Sequence, residues 1–334
     1  MIDWSKGLTV VYRLMLMDPV TWRDTEEIGM IKGGASRTNE GLRQSADITV
    51  SDFERQVERY VRVWLETEQG GASSRDALFT GIANAPGESI GTSRKEIELD
   101  CHSVLKPAEI PLERGWYAPA GMPGADVIKQ LLEVTGAPLE IEGESPALED
   151  YIIAEDDEDH ITMTDKILKV MGWRLRITGL GKIIVGPPAQ EPVVMFGEEY
   201  DVIKPPVEPR DNWSEIPNVF KAISGDMVAI ARDDSEDSVF STVNKGREVW
   251  MTESDCVLNT GESLEQYAWR RLKEEQKKAG TMEYDRRFHP DVMPSDLVRI
   301  NYPGHNLAGL FYVNSQDIEF DTELSTSEEV SVWV

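Results

Sequence analysis

Four histidines, two cysteines and an excess of carboxylates are the side chains with which this chain could do chemistry, and their spacing decides which chemistry is open. His102, His160, His289 and His305 are scattered. None lies in an HExxH or HxH pattern or beside a serine or cysteine nucleophile, so zinc-hydrolase and triad spacings are both missing. Cys101 and Cys256 stand far apart with no CxxC spacing, which reads as two buried reduced thiols rather than a disulfide or zinc framework. The run Glu155-Asp156-Asp157-Glu158-Asp159-His160 offers oxygen ligands for calcium, but it lacks the alternating ligands and turn glycine of an EF-hand loop and reads as a solvated loop. Gly179-Leu180-Gly181-Lys182 superficially resembles a phosphate loop, yet it lacks the GxxxxGK[ST] spacing and falls in a hairpin, where glycines supply positive φ. With 61 acidic residues a glycosidase-type carboxylate pair is easy to find and carries no information without geometry. The expected list of catalytic, cofactor-binding and metal residues is therefore empty, and no cofactor is expected.

The elements that hold these residues begin with strands. Leu8 to Met17 and Tyr60 to Thr67 are apolar and β-branched runs bounded by turn signals, and Val61, Val63 and Leu65 alternate with Arg62, Trp64 and Glu66. From Arg94 to His102, Ile97, Leu99 and Cys101 alternate with Glu96, Glu98 and Asp100. Ala46 to Val50 and Ala77 to Ala83 are shorter strands, and Gly70-Gly71-Ala72-Ser73-Ser74 is a hairpin loop. After Pro107 the periodicity changes. Ala125, Ile128, Leu131, Leu132 and Thr135 recur at helical spacing up to Gly136, and a second helix is expected after Thr164, with Ile167, Leu168 and Met171 as its stripe and Gly172 as its stop. Trp173 to Ile177 and Lys182 to Val185 form a hairpin, and the prolines from Pro187 to Pro209 read as an extended surface linker. The last third returns to strands at Val219 to Ser224, Met227 to Asp233, Glu248 to Met251, Leu297 to Asn301 and Leu310 to Ser315. One helix interrupts them: Ser263 with Gln266 forms a capping box, Leu264, Tyr267, Ala268, Arg271 and Leu272 form a narrow stripe, and Arg270, Lys273, Glu274 and Lys277 stay in water.

Length and composition bound the rest. A chain of 334 residues with 40% hydrophobic content and a mean hydropathy of −0.37 suits two or three globular domains. Thirty-four basic against 61 acidic residues give a net charge of −27, which disfavours sequence-independent DNA binding. Neither a signal peptide nor an apolar stretch long enough for a membrane anchor is read, so cytoplasmic synthesis is expected. The predicted fold class is α+β, mainly β. Residues 1–105 are expected to form one antiparallel β-barrel domain, 106–205 an α+β insert with a proline-rich exit, and 206–334 a second β-rich domain with one outer helix, which the resemblance given below implies is a second barrel.

From Glu98 onward the chain resembles the hub proteins of phage and phage-derived tails. The resemblance is carried by Leu99-Asp100-Cys101-His102-Ser103-Val104-Leu105-Lys106, Trp116-Tyr117-Ala118-Pro119-Ala120-Gly121 and Met171-Gly172-Trp173-Arg174-Leu175. It continues at Pro217-Asn218-Val219, the strand at Arg247, Gly261-Glu262-Ser263-Leu264 with its helix, Tyr284 to Val292 and Ser315-Gln316-Asp317-Ile318. It implies tube-type barrels and a homotrimeric ring that adapts a hexameric tail tube to a three-fold central spike in the baseplate, at the distal tip of a virion or phage-like particle made in a bacterial cytoplasm. Implied partners are the chain itself, the tail tube or distal tail protein, the spike and the tape measure protein, with DNA passing through an acidic lumen unbound. Two other function classes stay open: a tail-associated peptidoglycan hydrolase or endopeptidase, and an acidic receptor-binding adhesin, for which Trp64 and Trp116 would supply part of a platform.

Overall fold

The computed structural model describes residues 2–4, 6–51, 53, 58–90, 95–197, 203–209, 214–225, 227–254, 256, 263–279, 281–302 and 307–332. Arg94, Gly261, Glu262, Gly280 and His305 lie outside these residues, and the side chains of Lys277 and Lys278 lie outside those described. The fold is mainly β with a minority of helix, and it divides into two compact units that are discontinuous in sequence.

The first unit comprises Met1–Ala189, Arg287–Ser295 and Ser315–Thr326. Its sheet is built from β1 (Thr9–Asp18), β2 (Arg23–Ile28), β3 (Met30–Thr38), β4 (Gln44–Val50), β5 (Arg59–Gln69), β6 (Ala72–Ile90) and β7 (Lys95–Ser103), in the antiparallel order β2-β1-β5-β6-β7-β4-β3. Single-face burial drives it: Val61, Val63 and Leu65 of β5 and Ile97, Leu99 and Cys101 of β7 fill one core with Leu14, Ile48, Val50 and Phe79. Gly70 and Gly71 both take positive φ between the paired residues Gln69 and Ala72, as a two-residue hairpin turn requires. Among the described residues the sheet ends at β2 instead of closing, which corrects the barrel expectation. β2 carries Arg23, Asp24, Glu26 and Glu27, and such charge keeps an edge strand from pairing further.

The same unit holds the α+β segment: β8 (Tyr117–Ala118), α1 (Gly124–Leu132), β9 (Leu139–Ile141), β10 (Ile152–Ile153), α2 (His160–Met171), β11 (Arg174–Ile177) and β12 (Ile183–Gly186). Ala125, Ile128, Leu131 and Leu132 of α1 meet Ile161, Ile167 and Leu168 of α2 over β11 and β12. Gly136 and Gly172 take the left-handed conformation that ends each helical stretch. The second helix starts earlier than the sequence suggested. Asp159 is its N-cap, accepting from the Thr162 amide at 2.7 Å, while Thr164 sits inside the helix with its hydroxyl bonded back to the His160 carbonyl.

The second unit comprises Gln190–Arg286, Asp296–Asn314 and Ser327–Val334. Its elements are β13 (Val194–Gly197), β14 (Ile203–Pro209), β15 (Val219–Ser224), β16 (Met227–Arg232), α3 (Thr242–Lys245), β17 (Trp250–Ser254), α4 (Leu264–Ala279), β18 (Thr281–Arg287), β19 (Leu297–Tyr302), β20 (Leu307–Glu319) and β21 (Ser325–Val332). β18, β20 and β21 each have residues in both units. The proline-rich segment is not only a linker: β13 pairs with β19 and β14 with β18, and β14 has no second neighbouring strand among the described residues, an edge position of the kind in which prolines are tolerated. A separate three-stranded sheet, β16-β15-β17, is covered on one face by α4, with Ala268 and Leu272 fully buried among Phe220, Ala222 and Ala231.

Candidate functional site

Those side chains singled out for chemistry that lie among the described residues are taken up by the fold. His102 stands on β7 beside Asp100 of its own strand, 3.7 Å away, and His160 lies at the start of α2 with Nδ1 2.8 Å from the Leu131 carbonyl oxygen. His289 packs its ring against Trp4. The Cys101 thiol is fully buried, which pushes its pKa well above the ordinary thiol range and disfavours the reactive thiolate. Among the described residues no group of three or more histidine, cysteine, aspartate or glutamate side chains is placed to hold a metal ion.

The two loops that resembled ligand sites have structural work. In the acidic run Asp159 caps α2, and Glu158 is buried, pairing with the Lys166 ammonium at 2.8 Å and accepting from the Glu155 amide at 2.8 Å. The Gly179-Leu180-Gly181 backbone lies directly on β6: the Thr80 hydroxyl donates to the Gly179 carbonyl at 2.7 Å, and a Cβ at position 179 would overlap the Ala77 carbonyl oxygen. Arg62 reaches the same loop, donating to the Leu180 carbonyl at 3.3 Å. Close backbone approach, not an anion, is what requires these glycines.

Charges are instead built into the sheets. Asp24 on β2 accepts from Arg62 at 2.9 Å and from the Trp64 indole at 2.8 Å, and Arg75 lies 4.3 Å from that indole's centroid. Burial holds the Arg62 pKa below the ordinary arginine value despite this partner. Trp64 is therefore part of the ladder, and Trp116 is half-buried against the α+β core, so neither forms an open platform. In the second unit Arg286 donates to Glu328 from Nε at 3.0 Å and Nη2 at 2.5 Å, both side chains being wholly buried. The Tyr284 hydroxyl donates to the other carboxylate oxygen, and the Phe196 ring lies 5.3 Å from the guanidinium carbon.

Two exposed apolar patches stand out among the described residues. On the face of β16-β15-β17 turned away from α4, Val228, Ile230 and Trp250 are about half exposed. On the small β8–β10 pair Tyr117 stands opposite Ile153, and Tyr151 lies two residues before Ile153; all three are exposed. Sequence reading missed both. β16 is apolar at both parities and so resembles a strand buried on two faces, and β8 and β10 are too short to show alternation.

No protein-family profile matches the chain, and no curated protein sequence matches it. Solved structures do. The chain is similar to the 43 kDa tail protein of prophage MuSo2 from Shewanella oneidensis, with TM-score 0.67 at 13% identity, covering 97% of this chain and 98% of that one. It is similar to a tail protein of Neisseria meningitidis MC58 with TM-score 0.63 at 13% identity, covering 98% and 97%. A component of the type VI secretion system of E. coli matches with TM-score 0.51 at 9% identity over 92% of this chain and 74% of that one. The chain has the fold of prophage tail proteins, as the sequence signatures implied.

Proposed function

We propose that this chain is a structural subunit at the distal end of a phage-type tail, where three copies form a ring adapting the six-fold tail tube to a three-fold spike. The observation that carries the reading is the match to prophage tail proteins over nearly the whole length of both chains. The fate of the chemically suggestive residues supports it: Asp159, Glu158 and Gly179 each secure local structure. In this reading two tube-type β regions, one on either side of the α+β segment, fill six tube positions per trimer, and the chain catalyses nothing. Acidic side chains outnumber basic ones at the lumen, so that DNA passes without adhering. Partners are the tube or distal tail protein, the spike and the tape measure protein. Immunogold labelling of induced particles tests the placement: label at one tail end supports it, and label on the capsid or on no particle overturns it. A cell-wall zymogram separates the hydrolase alternative, which requires a cleared band. A second reading, an adhesin, draws on exposed Tyr117, Tyr151 and Ile153; glycan-array binding abolished by Tyr117→Ala would favour it.

A further inference from the structure

The three-stranded sheet β11-β12-β9 has two edges that differ in their hydrogen bonds. On the β11 side the buried Gln44 amide donates to the Ile177 carbonyl at 2.6 Å, so part of that edge is satisfied from β4. β9 has no such cover among the described residues. It runs parallel to β12, and two bonds fix its phase: the Ile183 amide donates to the Pro138 carbonyl and the Glu142 amide to the Val185 carbonyl, both at 2.8 Å. Alternation then turns Glu140 toward β12. The amides and carbonyls of Leu139 and Ile141 point away from β12 and have no partner among the described residues.

An open groove of about 590 Å³ follows α1 from Met122 to Leu139. Met122, Ala137 and Leu139 are its apolar floor, half-buried against the α+β core, and Asp126, Lys129 and Glu133 stand exposed along its rim. α1 has nine residues, which at about 1.5 Å each span about 13 Å, room for about four residues of extended chain. A free strand edge beside an apolar groove offers an added strand main-chain bonds from the edge and pockets for its alternate side chains. We infer that this groove docks an extended, net-basic segment of another protein, which adds to the sheet as a fourth strand beside β9.

Hydrogen bonding and charge select this occupant. The repeated donor and acceptor pairs of Leu139 and Ile141 match the spacing of an extended polypeptide, which neither a lipid nor a sugar reproduces. Asp126, Lys129 and Glu133 take part in no ion pair among the described residues, so the rim offers two free carboxylates against one ammonium. A chain with 61 acidic and 34 basic residues is a poor source of a cationic segment, which favours another protein over a second copy. The segment places apolar side chains at alternate positions toward Met122, Ala137 and Leu139, with lysine or arginine within reach of Asp126 and Glu133.

The test titrates the purified full chain with an end-blocked peptide of alternating valine and lysine, followed by calorimetry for binding and amide hydrogen exchange for place. Binding should saturate, and the amides of Leu139 and Ile141 should exchange about tenfold slower or more in the complex, because a bonded amide must open before it exchanges. Two further peptides carry N-methyl groups on every valine or on every lysine. Successive N–H groups of a strand point to opposite edges, so one of the two should lose binding and the other keep it. Glu133→Lys places a cation at the C-terminal end of α1, where the helix dipole favours one, so the thermal midpoint should hold while binding weakens about threefold. Absence of saturable binding, equal effects of the two methylated peptides, or binding that leaves the Leu139 and Ile141 amides unchanged overturns the inference. Slowing of those amides when the parent alone is concentrated would make a second copy the occupant and overturn it equally. Should Glu133→Lys fail to fold, the methylated peptides decide on the parent. Failure here leaves the tail-end placement intact, which particle labelling decides separately.

Discussion

Replacing Glu328 by Gln keeps the size of the side chain and removes the negative charge that faces the buried Arg286 guanidinium. At the 3.0 Å separation of Nε and Oε2, and an effective dielectric of about 20, the attraction lost is about 5.5 kcal/mol. The hydrogen bonds a neutral amide can retain reduce this, so the expected loss of unfolding free energy is about 3–5 kcal/mol, the usual cost of breaking one partner of a buried pair. For a domain of this size that lowers the thermal midpoint by roughly 10 °C. The double variant Arg286→Met/Glu328→Leu removes both charges from the same interior and should return to within about 1 kcal/mol of the parent or exceed it. Urea and thermal unfolding followed by circular dichroism compare the three proteins. A Gln variant as stable as the parent, or a double variant as weak as the single one, would refute the reasoning that Arg286 depends on Glu328 for its charge.

Leu272 is wholly buried on the inner face of α4 in one cluster with Phe220, Ala222 and Ala231, so Leu272→Ala should cost about 3 kcal/mol, while exposed Lys273→Ala changes stability by less than about 0.5 kcal/mol; thermal melts separate them. Gly179→Ala drives a methyl into the Ala77 carbonyl oxygen and should cost about 3 kcal/mol, the upper end for overpacking, measured by urea unfolding. Burial, and then Arg247, push the Lys245 ammonium down to about 8 from its ordinary 10.5, while Nζ donates to the Ile216 carbonyl at 2.7 Å. The unfolded chain then holds more protons between those two values, so stability should rise with pH across that window, and Lys245→Met should flatten the rise in a pH series of melts.

The sequence made elements legible where burial follows a simple period. Ile97, Leu99 and Cys101 alternate because β7 has one wet face, and Ser263 with Gln266 reads as a capping box because the two bonds it implies form, at 2.9 and 3.1 Å. Elements held by ion pairs were hidden. β2 has no apolar stripe, since Arg13 with Glu27 and Arg62 with Asp24 do the work of cross-strand contacts. β21 buries Thr326, Glu328, Val330 and Val332 on one face, and the alternation is masked because one inward residue is a carboxylate whose partners, Arg286 and Tyr284, are far away in sequence. The cap of α2 was hidden inside an acidic run whose charge suggested solvent. Of the exposed surfaces, β16 was legible as a strand but not as an edge, because pairing order is set by long-range contacts that no local pattern encodes.

Electron cryomicroscopy of tail particles from the strain that makes this chain tests the central proposal most directly. The account predicts three copies in one ring at the distal end of the tube, each contributing two β regions, with more acidic than basic side chains facing the lumen. Six copies, one copy, or a density at that position which this chain does not fit would contradict it.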